Sequence, residues 1–192
     1  MEGKQLNILF IGNSHTYYND MPFLVCQCAE EAGFDCRVAM LAHGGWHLAQ
    51  HAEEQEVRFN ILYGRYDYVI LQEHAHPFAP EKEFLTAVTK LCQWIREAGS
   101  RPVLYESWAR HDEPEKQANM NEIYRFAAKE TTALIAPVGE KWWDYMQSHP
   151  DLEMYAEDSA HASAAGSAFA ARQIWETIQL DVRSEERRVG KE

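Results

Sequence analysis

Four groups of residues in this 192-residue chain could do chemistry together. Ser14 lies in IGNSHT, directly after a short apolar run, and Asp158 precedes His161 by three residues in EDSAHASAAG. A serine hydroxyl is a poor nucleophile at its free pKa and needs a base within hydrogen-bond reach to take its proton as it attacks. A histidine whose Nδ1–H is held by a carboxylate keeps Nε2 free for that task, and the spacing of Asp158 and His161 suits it. The negative oxygen formed by attack on a carbonyl needs donors already in place. Candidates are the backbone N–H groups of Ser14 and of Gly44 or Gly45 in AHGGW, and the side-chain amide of Gln72 in LQEHAH. Taken singly, each feature also fits a plainer role: a turn or capping serine, a surface D-x-x-H at a helix start, a Gly-Gly turn.

The elements that must position these residues can be read from periodicity. Apolar, β-rich runs at Leu6–Ile11, Cys36–Leu41, Tyr68–Leu71, Pro102–Glu106 and Ala133–Pro137 predict five strands. Helical spacing predicts Met21–Ala32, Leu48–Val57, Glu81–Glu97, Glu115–Glu130 and Ala164–Gln179. Strictly alternating strands and helices predict an α/β domain, a three-layer α/β/α sandwich around a five-stranded parallel sheet in the flavodoxin-like order 2-1-3-4-5. In such sheets ligands bind beyond the carboxyl ends of the strands, where Ser14, Gly45 and Gln72 all fall.

Composition narrows the class. With 46% apolar and 25% charged residues the chain is expected to form one domain over residues 1–182. The charge-dense RSEERRVGKE at 183–192 is expected to be a frayed or non-native tail. A net charge of −12 argues against nucleic acid as a partner. No apolar run is long enough to span a bilayer. The first strand begins almost at Met1, which leaves no room for a signal peptide, so a cytoplasmic location with reduced thiols is expected for Cys26, Cys28, Cys36 and Cys92. The sequence is silent on oligomeric state.

The order of these blocks resembles the SGNH (GDSL-type) hydrolase superfamily over residues 5 to 180. Its blocks are a nucleophilic serine after strand one, a glycine after strand two, an amide donor after strand three and D-x-x-H before the last helix. The strings GNS, GGWHLAQH and LQEH are similar to those of an uncharacterised bacterial SGNH-like branch. The resemblance implies Ser14 as nucleophile, His161 as base, Asp158 as its orienting acid, and Ser14, Gly45 (or Gly44) and Gln72 as the oxyanion hole. Two departures stand out, Asn13 in place of the acid of GDSL and Gln72 in place of asparagine. The implied activity is that of a serine esterase for small O-acyl groups, acetyl first, on saccharides or other small molecules, without cofactor or metal. Trp46, His74 and Trp108 flank the expected site and could stack on a sugar ring.

Two rival readings remain open at this level. Nine histidines, with His47 and His51 at i, i+4 and His43, His74 and His76 nearby, could gather a metal for a metal-dependent hydrolase. The aromatic content could instead serve a non-catalytic carbohydrate-binding module on the same fold. Trp94, Tyr124, Phe126 and Trp175 are expected to pack in helices, and of the pair Trp142–Trp143 at most one ring can point fully inward.

Overall fold

A computed structural model describes residues 4–189. Five parallel strands, β1 (Lys4–Gly12), β2 (Phe34–Ala42), β3 (Tyr68–Leu71), β4 (Arg101–Tyr105) and β5 (Leu134–Ala136), form one sheet in the order β2-β1-β3-β4-β5, as the alternating pattern implies. Ile8 pairs with Val38 on one side and Tyr68 on the other, and Val103 with Leu134 at the far edge. The helices are α1 (Ser14–Tyr17), α2 (Met21–Glu31), α3 (Leu48–His51), α4 (Gln55–Tyr63), α5 (Glu81–Glu97), α6 (Lys116–Thr131), α7 (Val138–Ser148) and α8 (Ala164–Val189), with a tight 3-10 turn at Tyr18–Asp20.

Side-chain alternation along the strands divides the core into two layers. Ile8, Phe10, Ile70, Val103 and Tyr105 face α2, α7 and α8, meeting Met21, Val25, Trp142, Ile174 and Ile178. Leu9, Ile11, Val69, Leu71 and Leu104 face the opposite helices, meeting Leu48, Ile61, Phe84, Leu91 and Tyr124. With both faces covered, β3 is buried throughout and β1 is buried from Ile8 to Gly12, whereas β2 at the edge keeps Met40 44% exposed.

The structure differs from the sequence reading at several helices, the first being the single turn α1, which the periodicity does not predict. The expected Leu48–Val57 helix is two pieces, because Glu54 adopts an extended conformation (φ −82°, ψ 127°) and restarts the chain as α4. Helix α7 was not anticipated, although Val138 and Trp142 sit one turn apart on its buried side; Trp143 is only partly buried. Helix α8 runs past Gln179 and the expected 182 boundary to Val189. Arg101 on β4 clamps it by pairing with Asp181 at 2.6 Å and Glu185 at 3.0 Å, so residues 183–189 continue the helix rather than fray. Residues 190–192 of the expected tail lie outside the described residues. Among the described residues no helix is long and apolar enough to cross a membrane.

Trp142 is the centre of an aromatic block. Its ring stacks on Trp108 at 4.0 Å with 8° between planes and meets Tyr155 and Phe169 edge-on. Offset and edge-to-face contacts of this kind add to the burial energy of large rings. Trp142→Ala should lower unfolding free energy by about 3–5 kcal/mol in urea titrations. A loss under about 1 kcal/mol would mean that the block is not a structural keystone.

Candidate active site

Strand β1 delivers Ser14 into a turn held by the backbone and side chain of Asn13. Asn13, fully buried, donates its backbone N–H to Gln72 Oε1 at 2.9 Å, and its Oδ1 accepts the His15 N–H at 3.0 Å, capping α1. Its Nδ2 donates to the Trp46 carbonyl at 3.1 Å, binding the loop after β2 to the loop after β1. That last bond explains the amide at position 13, since a carboxylate there has no proton to give. The Gly12 carbonyl accepts from His43 N at 3.1 Å and from His51 Nε2 at 2.8 Å. His51 thus secures the end of β1, and its ring also packs 5.2 Å from Trp46 beside the Gly44–Gly45 turn.

His161 reaches Ser14 from the far end of the chain. Its Nε2 lies 2.7 Å from Ser14 Oγ and its Nδ1 2.5 Å from Asp158 Oδ2, forming a continuous carboxylate–imidazole–hydroxyl chain. Asp158 Oδ1 accepts the N–H groups of Ala160 (3.0 Å) and His161 (2.9 Å). Partial burial acts to raise the Asp158 pKa. The hydrogen bonds from the His161 ring and from the two N–H groups outweigh it and hold the carboxyl well below the usual carboxylate range. The loop carrying the pair is pinned by Trp108 Nε1 on the Ala160 carbonyl at 2.8 Å and by a bridge between Tyr155 and Ala162. Tyr18 stacks on the His161 ring at 4.1 Å with 10° between planes.

Gly45 sits exposed at φ +75°, a conformation that favours glycine. Neither its N–H nor that of Ser14 donates a hydrogen bond within the described residues. Gln72 does not join them as expected. It is 1% exposed, its Oε1 accepts from Asn13 N and from Thr16 Oγ1 at 2.8 Å, and its Nε2 is bonded to the Glu73 carbonyl. The extra methylene relative to asparagine lets it reach across the end of β1, and the residue braces the turn rather than facing a ligand.

Trp108 also departs from expectation. It is fully buried in the aromatic block, where no sugar could stack on it. Trp46 is partly exposed between His43 and His51, and His74 is partly exposed against the His47 ring at 4.7 Å. Of the rings expected in helices, Tyr124 and Trp175 are buried, Trp94 is partly buried, and Phe126 is 44% exposed.

The histidines do not gather as the metal reading requires. His47 bonds Glu73 while His51 turns to Gly12, and among the described residues no three His, Cys, Asp or Glu side chains could hold a metal together. The sequence reading missed His15, which is buried between His76 (5.2 Å), Trp108 (5.3 Å) and His161 (4.8 Å), with both ring nitrogens lacking partners among the described residues. Burial, then the imidazoles of His76, His161 and His74, push its pKa well below the usual histidine range, so it is a neutral wall behind the base. Its place next to Ser14 in GNSH was the available signal. Tyr18 was likewise missed, at four residues beyond Ser14.

No family profile matches the chain, and no curated protein does. Solved structures do share its fold. One from Slackia heliotrinireducens, provisionally named an SGNH hydrolase, is 27% identical, with 91% of this chain and 100% of that chain covered and a TM-score of 0.79. A DUF4886 family protein from Bacteroides uniformis is 16% identical over 91% and 83% of the two chains, with a TM-score of 0.73. The chain is therefore an SGNH-like superfamily member. It is also similar, at 14% identity, over 93% and 99% of the chains and with a TM-score of 0.73, to a carbohydrate esterase of family 3 from Talaromyces cellulolyticus.

Two buried carboxyls near the site carry a pH signature. Burial pushes Glu73 and Glu106 up to about 7, against opposing N–H bonds from Leu48 and His74 to the first and from Glu140 to the second. A glutamate in the unfolded chain releases its proton near 4.5, so between about 4.5 and 7 the unfolded state binds fewer protons and each group's contribution to stability falls as pH rises. His51 and His76, pushed down by burial to about 4, work in the opposite direction, which makes a single-site comparison the clean test. Glu106→Gln can keep its bonds, because Asn121 can turn its amide toward it. The stability of Glu106→Gln relative to wild type should rise from about pH 5 to pH 7 and level off above it in urea titrations. A pH-independent difference would show that Glu106 titrates normally.

Proposed function

We propose that the chain is a serine hydrolase that cleaves small O-acyl esters, acetyl esters first and those on carbohydrates among them, through an acyl-serine intermediate. The observation that carries this reading is the Asp158–His161–Ser14 chain, at 2.5 and 2.7 Å, on a loop and a strand end that meet at the carboxyl edge of the sheet. Its likeness to an SGNH hydrolase and to a carbohydrate esterase supports it.

In this reading His161 Nε2 takes the Ser14 proton as Oγ bonds to the ester carbonyl carbon, and the carbonyl π pair moves onto oxygen. The N–H groups of Ser14 and Gly45 receive the oxyanion. As the tetrahedral centre collapses, the bond to the alcohol oxygen breaks and His161 returns the proton to it, releasing the alcohol. A water then adds to the acyl carbon, His161 taking its proton. Collapse with proton return to Ser14 Oγ frees the carboxylic acid. Asp158, held ionised, keeps the imidazole in the required tautomer and stabilises the imidazolium that forms twice in the cycle. The departure from expectation at Gln72 leaves the hole with two backbone donors.

With p-nitrophenyl acetate, Ser14→Ala and His161→Ala should each lower kcat/KM by about a thousandfold or more. Release of nitrophenol at the wild-type rate by either variant would overturn the assignment. A short acyl site belongs to this reading, so hydrolysis should fall steeply for acyl groups beyond about four carbons. A preference for octanoate over acetate would refute the short acyl site.

A further inference from the structure

The structure contains a second carboxylate–imidazole unit that the reaction above does not use. Glu73, on the loop after β3, has its side chain only 1% exposed and is a focus of donors. Its Oε2 accepts the Leu48 N–H at 3.1 Å, and its Oε1 accepts both the His74 N–H and the His47 Nδ1–H at 2.7 Å each. A fully buried carboxylate is expensive to keep unless its bonds serve a purpose. Here they fix two histidines at once, His47 through its ring and His74 through its backbone. His74 is locked a second time by donation of its Nδ1–H to the Pro77 carbonyl at 2.9 Å.

The chemical consequence lies on the other side of each ring. A neutral imidazole that donates from Nδ1 carries its lone pair on Nε2. Both His47 and His74 are partly exposed, their ring centroids are 4.7 Å apart, and neither Nε2 has a partner among the described residues. Two oriented acceptors therefore stand side by side. They belong to the loops after β2 and β3 at the edge that holds Ser14: His47 is two residues beyond Gly45, and the carbonyl of its neighbour Trp46 is tied to Asn13. Each acceptor needs an O–H or N–H donor, and two imidazoles with ring centroids 4.7 Å apart are placed to receive two adjacent hydroxyls.

We propose that His47 and His74, positioned by Glu73, form the subsite for a vicinal diol in the alcohol part of the substrate, as in a sugar or glycerol ester. This rests on the ester-hydrolase reading and narrows it. A hydroxyl donating to an oriented ring nitrogen contributes on the order of a tenfold preference. The site requires no charge on the ligand, in keeping with the acidic chain.

The test compares glyceryl monoacetate, which carries the diol, with ethyl acetate, which lacks it. The ratio of their kcat/KM values should fall about tenfold in His47→Ala, carried mainly by KM for the glyceryl ester, and should recover in part in His47→Gln, which restores an acceptor. Because any unfolded fraction cancels in the ratio, a structural defect alone cannot mimic this result. An unchanged ratio in His47→Ala overturns the subsite while leaving the esterase reading intact. Wild-type protein with no Ser14-dependent turnover of p-nitrophenyl acetate overturns the esterase reading, and the subsite with it.

Discussion

The position of Ser14 depends on how closely β1 and β3 end beside each other. Adjacent strands are about 4.8 Å apart, and the Gln72 side chain must cross that gap to reach the turn after β1. It can do so only because residue 12 has no side chain: a Cβ there would sit 2.4 Å from Thr16 Oγ1 and 2.5 Å from Gln72 Oε1. With Gln72 seated, the Asn13 N–H and the Thr16 hydroxyl are satisfied in a place water does not reach, which would otherwise be a costly burial. Asn13 is then free to cap α1 and to hold the Trp46 carbonyl. What emerges from this junction is a serine whose N–H is uncommitted and whose hydroxyl is committed to one imidazole. Because Asn13, Thr16 and Gln72 are all engaged, the turn has little freedom to relax, which is the condition for a site organised before substrate arrives.

The base reaches this serine across 147 residues of sequence, so its accuracy is a matter of tertiary packing. Three independent anchors act on its loop. Trp108 holds the Ala160 carbonyl from below and is itself fixed by stacking on Trp142. Asn19, in the left-handed region at φ 53°, directs its Nδ2 to the Ala162 carbonyl at 3.1 Å and to Ser167 Oγ at 2.9 Å. Tyr18 covers the face of His161. Asn19 and Tyr18 follow Ser14 in the chain, so the segment that presents the nucleophile also grips the segment that presents the base. Movement of one carries the other, which preserves the 2.7 Å contact.

The parts of this arrangement legible in the sequence are those set by local spacing. Asp158 and His161 are three residues apart, and the N–H groups of Ala160 and His161 hold the Asp158 carboxylate against the imidazole. Ser14 follows an apolar run, and strand alternation predicts both layers of the core. The parts that were misread depend on partners distant in the chain. Trp108 at the end of a strand looks like a rim residue until Trp142, 34 positions later, is seen to cover it. Gln72 carries a donor and an acceptor on one amide, and only the approach of Asn13 decides which end faces the turn. The last turns of α8 are a charge run by composition, but the run includes Glu185, which reaches Arg101 on a strand far away in sequence.

The contrast between the two carboxylate–imidazole units shows how environment assigns different work to the same pair of groups. Asp158 keeps 48% of its side chain exposed and is held ionised by three hydrogen bonds, so it can balance the positive charge that His161 acquires whenever it takes a proton. Glu73 is buried, with its side chain 1% exposed, and its two oxygens are shared among the Leu48 N–H, the His74 N–H and the His47 ring, so it serves to position rather than to exchange protons. The first unit also has a hydroxyl at 2.7 Å from the free ring nitrogen, whereas the second leaves that nitrogen open beside a second imidazole. A pair that tolerates charge and touches a nucleophile is suited to moving protons. A pair whose orientation is fixed from inside the protein, with its free ring nitrogen facing outward, is suited to accepting hydrogen bonds, and that difference separates the chemistry of the site from its recognition.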